Sequence, residues 1–279
     1  MPQLSQPKTI ALLTDFGYSD PYVSIMKSVL INNCPETRIL DISHGIKRGD
    51  ITQAAYTLEF VLPYLPAVCV VVAVIDPGVG SSRRPILIKS GPKTYIGPDN
   101  GVFSRVTQNS NVECTFYHLT QRDYWMNTIS NTFHGRDVFA PVAAHYANGV
   151  EANLLGEKTS QIHEIAFEEA VIQSNNIIDA TIIYEDSFGN LITNIPQDWL
   201  DEATQILQVR SNATETAGWC ANIPVVSSYQ HDVEVVGVIG SAGYLEFAAP
   251  NSNCSAVTGL STGDKISVHK IDHGSNLIE

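Results

Sequence analysis

The amino-terminal half of the chain alternates apolar segments with amphipathic ones, and this alternation restricts the possible folds more than any other feature. Apolar, β-branched segments predict buried strands, and segments with apolar residues three and four positions apart predict helices. The strands are predicted over 9–13, 38–42 and 68–75, and the helices over 21–33 and 51–65. Strand–helix–strand repetition of this kind is typical of an α/β domain with a mostly parallel sheet.

The carboxyl-terminal half has a different pattern. From residue 177 onward, short β-rich segments alternate with turn residues, which predicts a small antiparallel sandwich or barrel. The segment before it is polar and acidic, and we place a linker at 166–176. The predicted organisation is therefore an α/β domain over 1–165 and a β domain over 177–279.

Composition excludes several classes of function. The 279 residues carry a formal net charge of −13, whereas binding to nucleic acid or to anionic membranes requires clustered Lys and Arg. The longest apolar segment is too short to span a bilayer, and the first eight residues lack the pattern of a signal peptide. The five cysteines are odd in number and show no C-x-x-C spacing, so neither a disulfide framework nor a zinc site is expected. Together these features predict a cytoplasmic protein that binds neither nucleic acid nor membranes.

The segment that follows the predicted strand at 68–75 combines an acid, two glycines and two arginines. Asp76 comes directly after the strand, and Arg83 lies near the end of the segment. Gly78 and Gly80 allow a close backbone approach to a ligand. A turn with an exposed Asp–Arg pair is the alternative interpretation. Because ligands bind at the carboxyl ends of strands in open α/β sheets, we interpret the segment as a functional site.

Asp15 and Asp20 follow the first predicted strand. An acid at the end of this strand in a nucleotide-binding fold typically accepts the ribose hydroxyls, which favours a ligand contact for Asp15. Asp20 precedes the first helix and is either its N-cap or a ligand contact, and Asp50 is a candidate N-cap of the second helix. The chain contains neither G-x-G-x-x-G nor the P-loop pattern, so neither of those phosphate sites is expected.

Two histidines lie in polar clusters. His134 is next to Gly, Arg and Asp ahead of a third predicted helix at 138–148, and it is either structural or catalytic. His44 follows the second strand and is predicted to line the same face as the other strand-end residues. Asp99 and Asn100 lie in a Gly-Pro-Asp-Asn-Gly sequence, which is foremost a turn signal.

The carboxyl-terminal half contains two further motifs. Phe188 and Asn190, preceded by Asp186, either form a hairpin turn or hold an amino acid and a nucleobase. Ser241 lies in a Gly-Ser-Ala-Gly turn whose backbone N–H groups suit a carboxylate. Its spacing differs from the G-x-S-x-G of serine hydrolases, so that chemistry is not expected.

Five motifs in this order resemble those of the S-adenosyl-L-methionine hydroxide adenosyltransferase family, which is related to the fluorinases and chlorinases. The motifs are T-D-F-G-x-x-D, I-D-P-G-V-G-x-x-R-R, G-P-D-N-G, T-F-H-G-R-D and D-x-F-G-N-L-x-T-N-I. The resemblance extends from residue 9 to about residue 268. It implies a Rossmann-like N-terminal domain and a C-terminal β-barrel-like domain. It also implies a homotrimer, with sites between the N-terminal domain of one subunit and the C-terminal domain of the next.

The resemblance also implies an activity and a set of site residues. Members of the family split S-adenosyl-L-methionine (SAM) with water into adenosine and L-methionine, with SAM as substrate and without a cofactor or metal. The implied residues are Asp76, Arg83 and His134 for catalysis, Asp15 for the ribose, Asp20, Asp186 and Ser241 for methionine, Phe188 and Asn190 for the base, and Ser255 for a further adenine contact.

Two other functions stay open at this point. A halogenase acting on SAM is disfavoured because, as we align them, the halogenating relatives have Tyr in place of Asp76 and Ser in place of Gly135. A carboxylate at position 76 repels a halide and favours a polarised water. A protein that binds SAM or adenosine without turnover is disfavoured by the complete set of Asp76, Arg83 and His134.

Overall fold

We analysed a computed structural model of the chain, which describes residues 9–109, 112–173, 176–200, 204, 206–212, 220–229 and 232–271. These residues form two compact units, and the division falls between Ala166 and Phe167. Residues 1–8, on which the expectation of no signal peptide depends, lie outside the described ranges. No helix in the described ranges is long and apolar enough to cross a bilayer.

The first unit is an α/β domain built on one sheet. Its strands are β1 (Thr9–Thr14), β2 (Arg38–Ser43), β3 (Cys69–Val74), β4 (Pro85–Ser90), β5 (Lys93–Pro98), β6 (Cys114–His118) and β7 (Glu157–Thr159). Its helices are α1 (Tyr22–Asn33), α2 (Ile51–Val61), α3 (Ser104–Gln108), α4 (Ala140–Ala147) and α5 (Ala152–Leu155). The strand order is β2-β1-β3-β5-β4-β6-β7. The first four strands in this order are parallel, which confirms the predicted class, and the other three pair antiparallel.

Strand β3 lies at the centre of the core, and every one of its residues is buried. Val70, Val72 and Val74 belong to the hydrophobic cluster on one face of the sheet. Val71 and Ala73 belong to the cluster on the other face. Because helices cover both faces of the sheet, an apolar residue is favourable at every position, which explains the uninterrupted apolar sequence.

The helix starts differ from the prediction at one of two positions. Asp50 caps α2, since its Oδ1 accepts a hydrogen bond of 2.8 Å from the backbone N–H of Gln53. Asp20 was predicted as a possible N-cap of α1, but that cap position belongs to Pro21 and no side chain caps the helix there. The cap interpretation of Asp20 is therefore wrong, and its ligand contact stays a prediction.

The second unit is a β-barrel. Its strands are β8 (Val171–Ile172), β9 (Ile177–Glu185), β10 (Leu191–Pro196), β11 (Ile206–Ser211), β12 (Cys220–Val226), β13 (Val236–Ile239), β14 (Tyr244–Ala248) and β15 (Lys265–Ile271), with the short helix α6 (Cys254–Thr258). The order β10-β14-β13-β12-β11-β15-β9 closes through pairing of β9 with β10. The pairs are antiparallel except β12 with β13, so the predicted barrel is confirmed. Strand β8 pairs with β9 and lies inside the segment predicted as a linker.

Candidate active site

A cavity of about 900 Å³ opens in the first unit where β1 and β3 end. Asp15 follows β1, Asp76 follows β3, and both line the cavity together with Asp20 and His134. Adjacent parallel strands present their carboxyl ends at the same edge of a sheet, so acids that follow them are brought together.

Two of the residues that line this cavity, Asp76 and His134, are hydrogen-bonded to the same arginine, Arg83. The Arg83 Nε donates to Asp76 Oδ1 over 3.1 Å, and the Arg83 Nη2 donates to Asp76 Oδ2. The same Nη2 lies 3.0 Å from His134 Nδ1. The side chains of Arg83 and Asp76 are only 7% and 5% exposed, so the pair is screened from solvent. The structure therefore brings together the three residues proposed for catalysis.

The position of Asp76 depends on a neighbouring turn. The side-chain amide of Asn100 donates to the carbonyl of Ile75 over 2.8 Å and so holds the end of the strand that carries Asp76. The Asn100 Oδ1 accepts from the backbone N–H of Val102, which shapes the turn itself. Asp99 binds the guanidinium of Arg84 and the backbone N–H of His163. The Gly-Pro-Asp-Asn-Gly turn is thus a support for the site, in line with its interpretation as a turn.

Gly80 fixes the path of the loop between Asp76 and Arg83. Its φ is +77°, and a Cβ at this position would lie 2.3 Å from the backbone oxygen of Asn131.

We expect Gly80→Ala to lower the melting temperature and the activity together, because both the backbone conformation and the contact between the two loops are lost. Gly91→Ala is the matched control: its φ is +55°, but the nearest atom is 3.6 Å away. Equal losses of thermal stability in the two variants would contradict this role of close packing.

His134 is held by an irregular helix start. The residues Gly135–Phe139 form a π-helical turn that continues into α4. Inside this turn the carboxylate of Asp137, which is 1% exposed, accepts from the backbone N–H of Ser130 and from Arg136 Nε. Such π-turns occur frequently at functional sites. Here the turn joins the loop before His134 to the helix after it.

The hydrogen bond to Arg83 determines the protonation of His134. A guanidinium only donates, so His134 Nδ1 is the acceptor and the neutral ring carries its hydrogen on Nε2. Burial lowers the pKa of His134, and the neighbouring charge of Arg83 lowers it further. The imidazole is therefore neutral at pH 7.

One buried donor at this site has no protein partner. Among the residues that the structure describes, none accepts a hydrogen bond from Arg83 Nη1, which is buried. An unpartnered buried donor is costly, and it is suited to an oxygen atom of water or of a ligand.

Asp15 and Asp20 line the same cavity, and they differ in whether a hydrogen bond from the protein holds the carboxylate. The Asp15 Oδ2 accepts a hydrogen bond of 2.8 Å from the backbone N–H of Gly49. Asp20 is exposed, and since it does not cap α1 its carboxylate is available to a cationic group.

The second unit holds the other predicted residues. The Asp186 carboxylate accepts from the backbone N–H groups of Phe188 and Asn190 and from Asn190 Nδ2, at 2.8 to 2.9 Å. This confirms the turn, and the ring of Phe188 is left 79% exposed. Ser241 is exposed in the turn between β13 and β14.

Ser255 has its backbone N–H and its hydroxyl engaged within the second unit. Its backbone N–H donates to the Gly189 carbonyl over 3.3 Å, and its hydroxyl donates to the Leu260 carbonyl over 2.8 Å. Gly189 is packed so closely on Asn253 that a Cβ would lie 2.1 Å from its amide nitrogen. The adenine contact assigned to Ser255 stays a prediction, and these bonds leave its backbone N–H committed to the protein.

The chain matches known sequence profiles over most of its length. The profile of the SAM hydroxide adenosyltransferase N-terminal domain matches residues 10–156, and that of the C-terminal domain of the same family matches residues 180–267. The chain belongs to the SAM hydroxide adenosyltransferase family. Both halves of this family's architecture are present in it, in the expected order.

The relatives of this chain include proteins named as hydrolases and proteins named as fluorinases. It is 32% identical over 262 residues to the (R)-S-adenosyl-L-methionine hydrolase of Thermus thermophilus. The aligned region covers 92% of this chain and 97% of the relative. The protein of the same name from Methanocaldococcus jannaschii is 33% identical, and the aligned region covers 93% of this chain and 95% of the relative. A fluorinase from an Actinoplanes species is 23% identical, with 97% and 100% covered.

A solved structure shares the fold. An uncharacterized conserved protein from Thermotoga maritima superimposes with a TM-score of 0.86 at 29% identity, covering 93% of this chain and 99% of that one. This similarity extends over both units of the hydroxide adenosyltransferase architecture.

Sequence reasoning missed the aromatic wall of the cavity. Phe16, Tyr22 and Phe133 line it, with ring centroids 5.2 to 5.8 Å apart. Phe16 follows Asp15 and Phe133 precedes His134 in the sequence. Their position beside predicted site residues was the feature from which they could have been predicted. The cavity is also lined by Arg48, for which the sequence offered no signal.

No group of three or more His, Cys, Asp or Glu side chains within the described ranges is arranged to hold a metal ion. The absence of a metal from the reaction stays a prediction of the family resemblance, and unchanged activity in a chelator is the measurement that checks it.

Proposed function

We propose that this protein hydrolyses SAM to adenosine and L-methionine by in-line attack of a water-derived oxygen on the ribose C5′. The observation that carries the proposal is the hydrogen-bonded set of Asp76, Arg83 and His134, in which Asp76 and His134 line a cavity that is also lined by Asp15 and Asp20. The hydrolase names of the relatives from Thermus thermophilus and Methanocaldococcus jannaschii support it.

The chemistry requires a positioned nucleophile more than an acid. A new O–C5′ bond forms while the C5′–S bond breaks, and its electron pair goes to the sulfonium sulfur, which leaves as the neutral thioether of methionine. Because that leaving group needs no proton, the protein must orient one water and take its proton. Orientation can contribute about 7–11 kcal/mol to lowering the barrier, and a positioned base adds about 10²–10⁴-fold.

The geometry supports a distinct role for each residue of the set. Asp76 is the proton acceptor, because Arg83 stays protonated and the His134 Nδ1 already accepts from it. The free Nη1 of Arg83 donates to the attacking oxygen and stabilises its hydroxide character. His134 orients Arg83 and offers its Nε2–H as a second donor.

Asp15 and Asp20 are assigned to the substrate. Asp15 accepts from the ribose hydroxyls with the oxygen that Gly49 does not occupy, and Asp20 binds the methionine ammonium group. Asp186 and Ser241 bind methionine, and Phe188, Asn190 and Ser255 bind the base, as the family resemblance implies.

A labelled-water experiment tests the proposed reaction. Incubation with SAM in H₂¹⁸O is expected to release adenosine with ¹⁸O on its 5′-oxygen and unlabelled methionine, both detected by mass spectrometry. Retention of intact SAM on the protein without products would instead identify a binding protein. Formation of 5′-halo-adenosine in added chloride or fluoride would identify a halogenase.

The role of His134 predicts a pH effect. Protonation of Nδ1 would break its hydrogen bond from Arg83, so kcat/KM is expected to be level above the ordinary histidine pKa of about 6.5 and to fall at lower pH. His134→Asn places an uncharged oxygen near the Nδ1 position, so its acid limb is expected at lower pH than in the parent. Superimposable pH profiles would show that His134 does not titrate in the reaction.

We further propose a homotrimer in which the second unit of one subunit completes the cavity of the next. Its support is the family resemblance and the location of Asp186, Phe188, Asn190, Ser241 and Ser255 in the second unit. A molar mass of three chains in light scattering is the expected observation.

A cytoplasmic location is proposed from the five free cysteines, because thiols stay reduced in that compartment.

A further inference from the structure

We propose that His44 is a positioning residue for ribose recognition, acting on Asp15 through the hydroxyl of Thr14. This inference rests on the proposed function, in which Asp15 accepts hydrogen bonds from the ribose. His44 does not line the cavity described above; its effect is carried by the protein between it and Asp15.

His44 is buried and has a polar contact at each ring nitrogen. The residue is 1% exposed, and its Nδ1 lies 2.8 Å from the hydroxyl of Thr14, which is fully buried. Its Nε2 lies 3.2 Å from Asp41 Oδ1, without the geometry of a hydrogen bond. Lys27 approaches the same carboxylate at 2.6 Å, and the ring of Tyr18 packs edge-on against the imidazole at 5.1 Å.

These contacts select one form of the imidazole. An Nε2 lone pair would face the Asp41 carboxylate at 3.2 Å and be repelled by it, so this contact favours the hydrogen on Nε2, with Nδ1 as the acceptor and the Thr14 hydroxyl as the donor. Burial lowers the pKa of His44, and the neutral ring is the form that can accept this hydrogen bond. The hydroxyl of Thr14 is therefore oriented by His44.

The oriented hydroxyl restrains Asp15 from both sides. Thr14 precedes Asp15, and the backbone N–H of Phe16, which follows it, donates to the Thr14 Oγ1 over 3.3 Å. The backbone N–H of Gly17 donates to the His44 carbonyl over 2.7 Å. The short segment that carries Asp15 is thus tied to the residue that follows β2.

A second link joins the same two segments. Asp15 Oδ2 accepts from the backbone N–H of Gly49, five residues beyond His44. The peptide groups around Asp15 are restrained and its Oδ2 is bound to Gly49, so Oδ1 is the carboxylate oxygen that we assign to the ribose. Its direction then depends on the Thr14–His44 hydrogen bond, and loss of that bond should weaken contacts to the ribose hydroxyls specifically.

The test compares two nucleosides that differ only in these hydroxyls. The association constants for adenosine and for 2′,3′-dideoxyadenosine are measured by calorimetry on the full chain. The constant for adenosine divided by that for 2′,3′-dideoxyadenosine reports recognition of the ribose hydroxyls. His44→Leu removes the acceptor and is expected to lower the ratio about tenfold, mainly by weakening adenosine. Thr14→Val removes the donor of the same hydrogen bond with little change in shape and is expected to lower the ratio similarly.

The conservative variant separates positioning from a general structural role. His44→Asn keeps an acceptor near the Nδ1 position and loses the contact with Asp41, so its ratio is expected to match that of the parent. If His44→Leu and Thr14→Val weaken both nucleosides by the same factor, or leave both unchanged, the inference is overturned. Thr14→Val carries the test alone if circular dichroism shows His44→Leu to be unfolded.

The failure of the proposed reaction has a different signature. A parent protein that releases no labelled adenosine from SAM but still discriminates the nucleosides would contradict hydrolysis and leave His44 in its positioning role. A parent protein that turns over SAM and does not discriminate them would contradict ribose binding by Asp15, and the role of His44 with it.

Discussion

Asp76→Asn is expected to reduce kcat for SAM hydrolysis by about 10²–10⁴-fold while adenosine affinity changes little. Asparagine has nearly the same shape as aspartate, and its amide oxygen can keep one of the two hydrogen bonds from Arg83, whereas its NH2 group faces the other donor. What the variant lacks is the carboxylate that takes the proton of the attacking water. Single-turnover release of adenosine and calorimetric binding of adenosine measure the two quantities separately.

Asp99→Asn provides a matched control for Asp76→Asn. Asp99 also follows a strand and binds an arginine, since Arg84 Nε donates to its Oδ2 over 2.8 Å, and its side chain is 4% exposed. It is not among the described residues that line the cavity. We expect Asp99→Asn to cost stability and to leave kcat close to that of the parent. Parental kcat in Asp76→Asn would refute the assignment of Asp76 as the base.

Arg83→Met is expected to lower the free energy of unfolding by about 3–5 kcal/mol and to abolish measurable turnover. The variant leaves the Asp76 carboxylate without a cation at a position where its side chain is only 5% exposed. It also removes the donor to His134 Nδ1 and the stacking of the guanidinium on Phe139, whose ring centre is 5.3 Å away. Denaturant unfolding gives the stability change.

Lys27→Met is the control for Arg83→Met in the same unit. Lys27 also forms an ion pair with an aspartate, but both side chains are 29% exposed, so a loss of about 1 kcal/mol or less is expected. The double variant Asp76→Asn/Arg83→Met should recover part of the stability lost in Arg83→Met, because the unpaired charge is gone. If Arg83→Met were no more destabilising than Lys27→Met, the pair would not be screened from solvent as the structure describes.

Strands that are short, half-buried or interrupted by proline were harder to predict than the buried central strand. The central strand β3 is buried on both faces, so its sequence is uniformly apolar and recognisable. Strand β6 is half-buried along its whole length and β7 has only three residues, so neither shows a pattern of its own. Strand β12 contains Pro224, which argues against a strand in isolation. These strands depend on pairing with neighbours distant in sequence.

Local order in the sequence determined the parallel strands and the acids that end them. Asp15 and Asp76 were recognisable because each follows an apolar strand directly, and the fold class follows from strand–helix alternation. The five motifs were recognisable for the same reason, since each is a continuous segment.

Only the tertiary structure decided which groups meet and in which protonation state. Arg83 and His134 are 51 positions apart, and their hydrogen bond joins two loops that also pack together at Gly80 and Asn131. That bond makes His134 Nδ1 an acceptor, and this is the basis for proposing Asp76 as the base. The reason is physical: a hydrogen bond and a desolvated charge depend on distances between atoms, and residues distant along the chain acquire those distances only when the core packs.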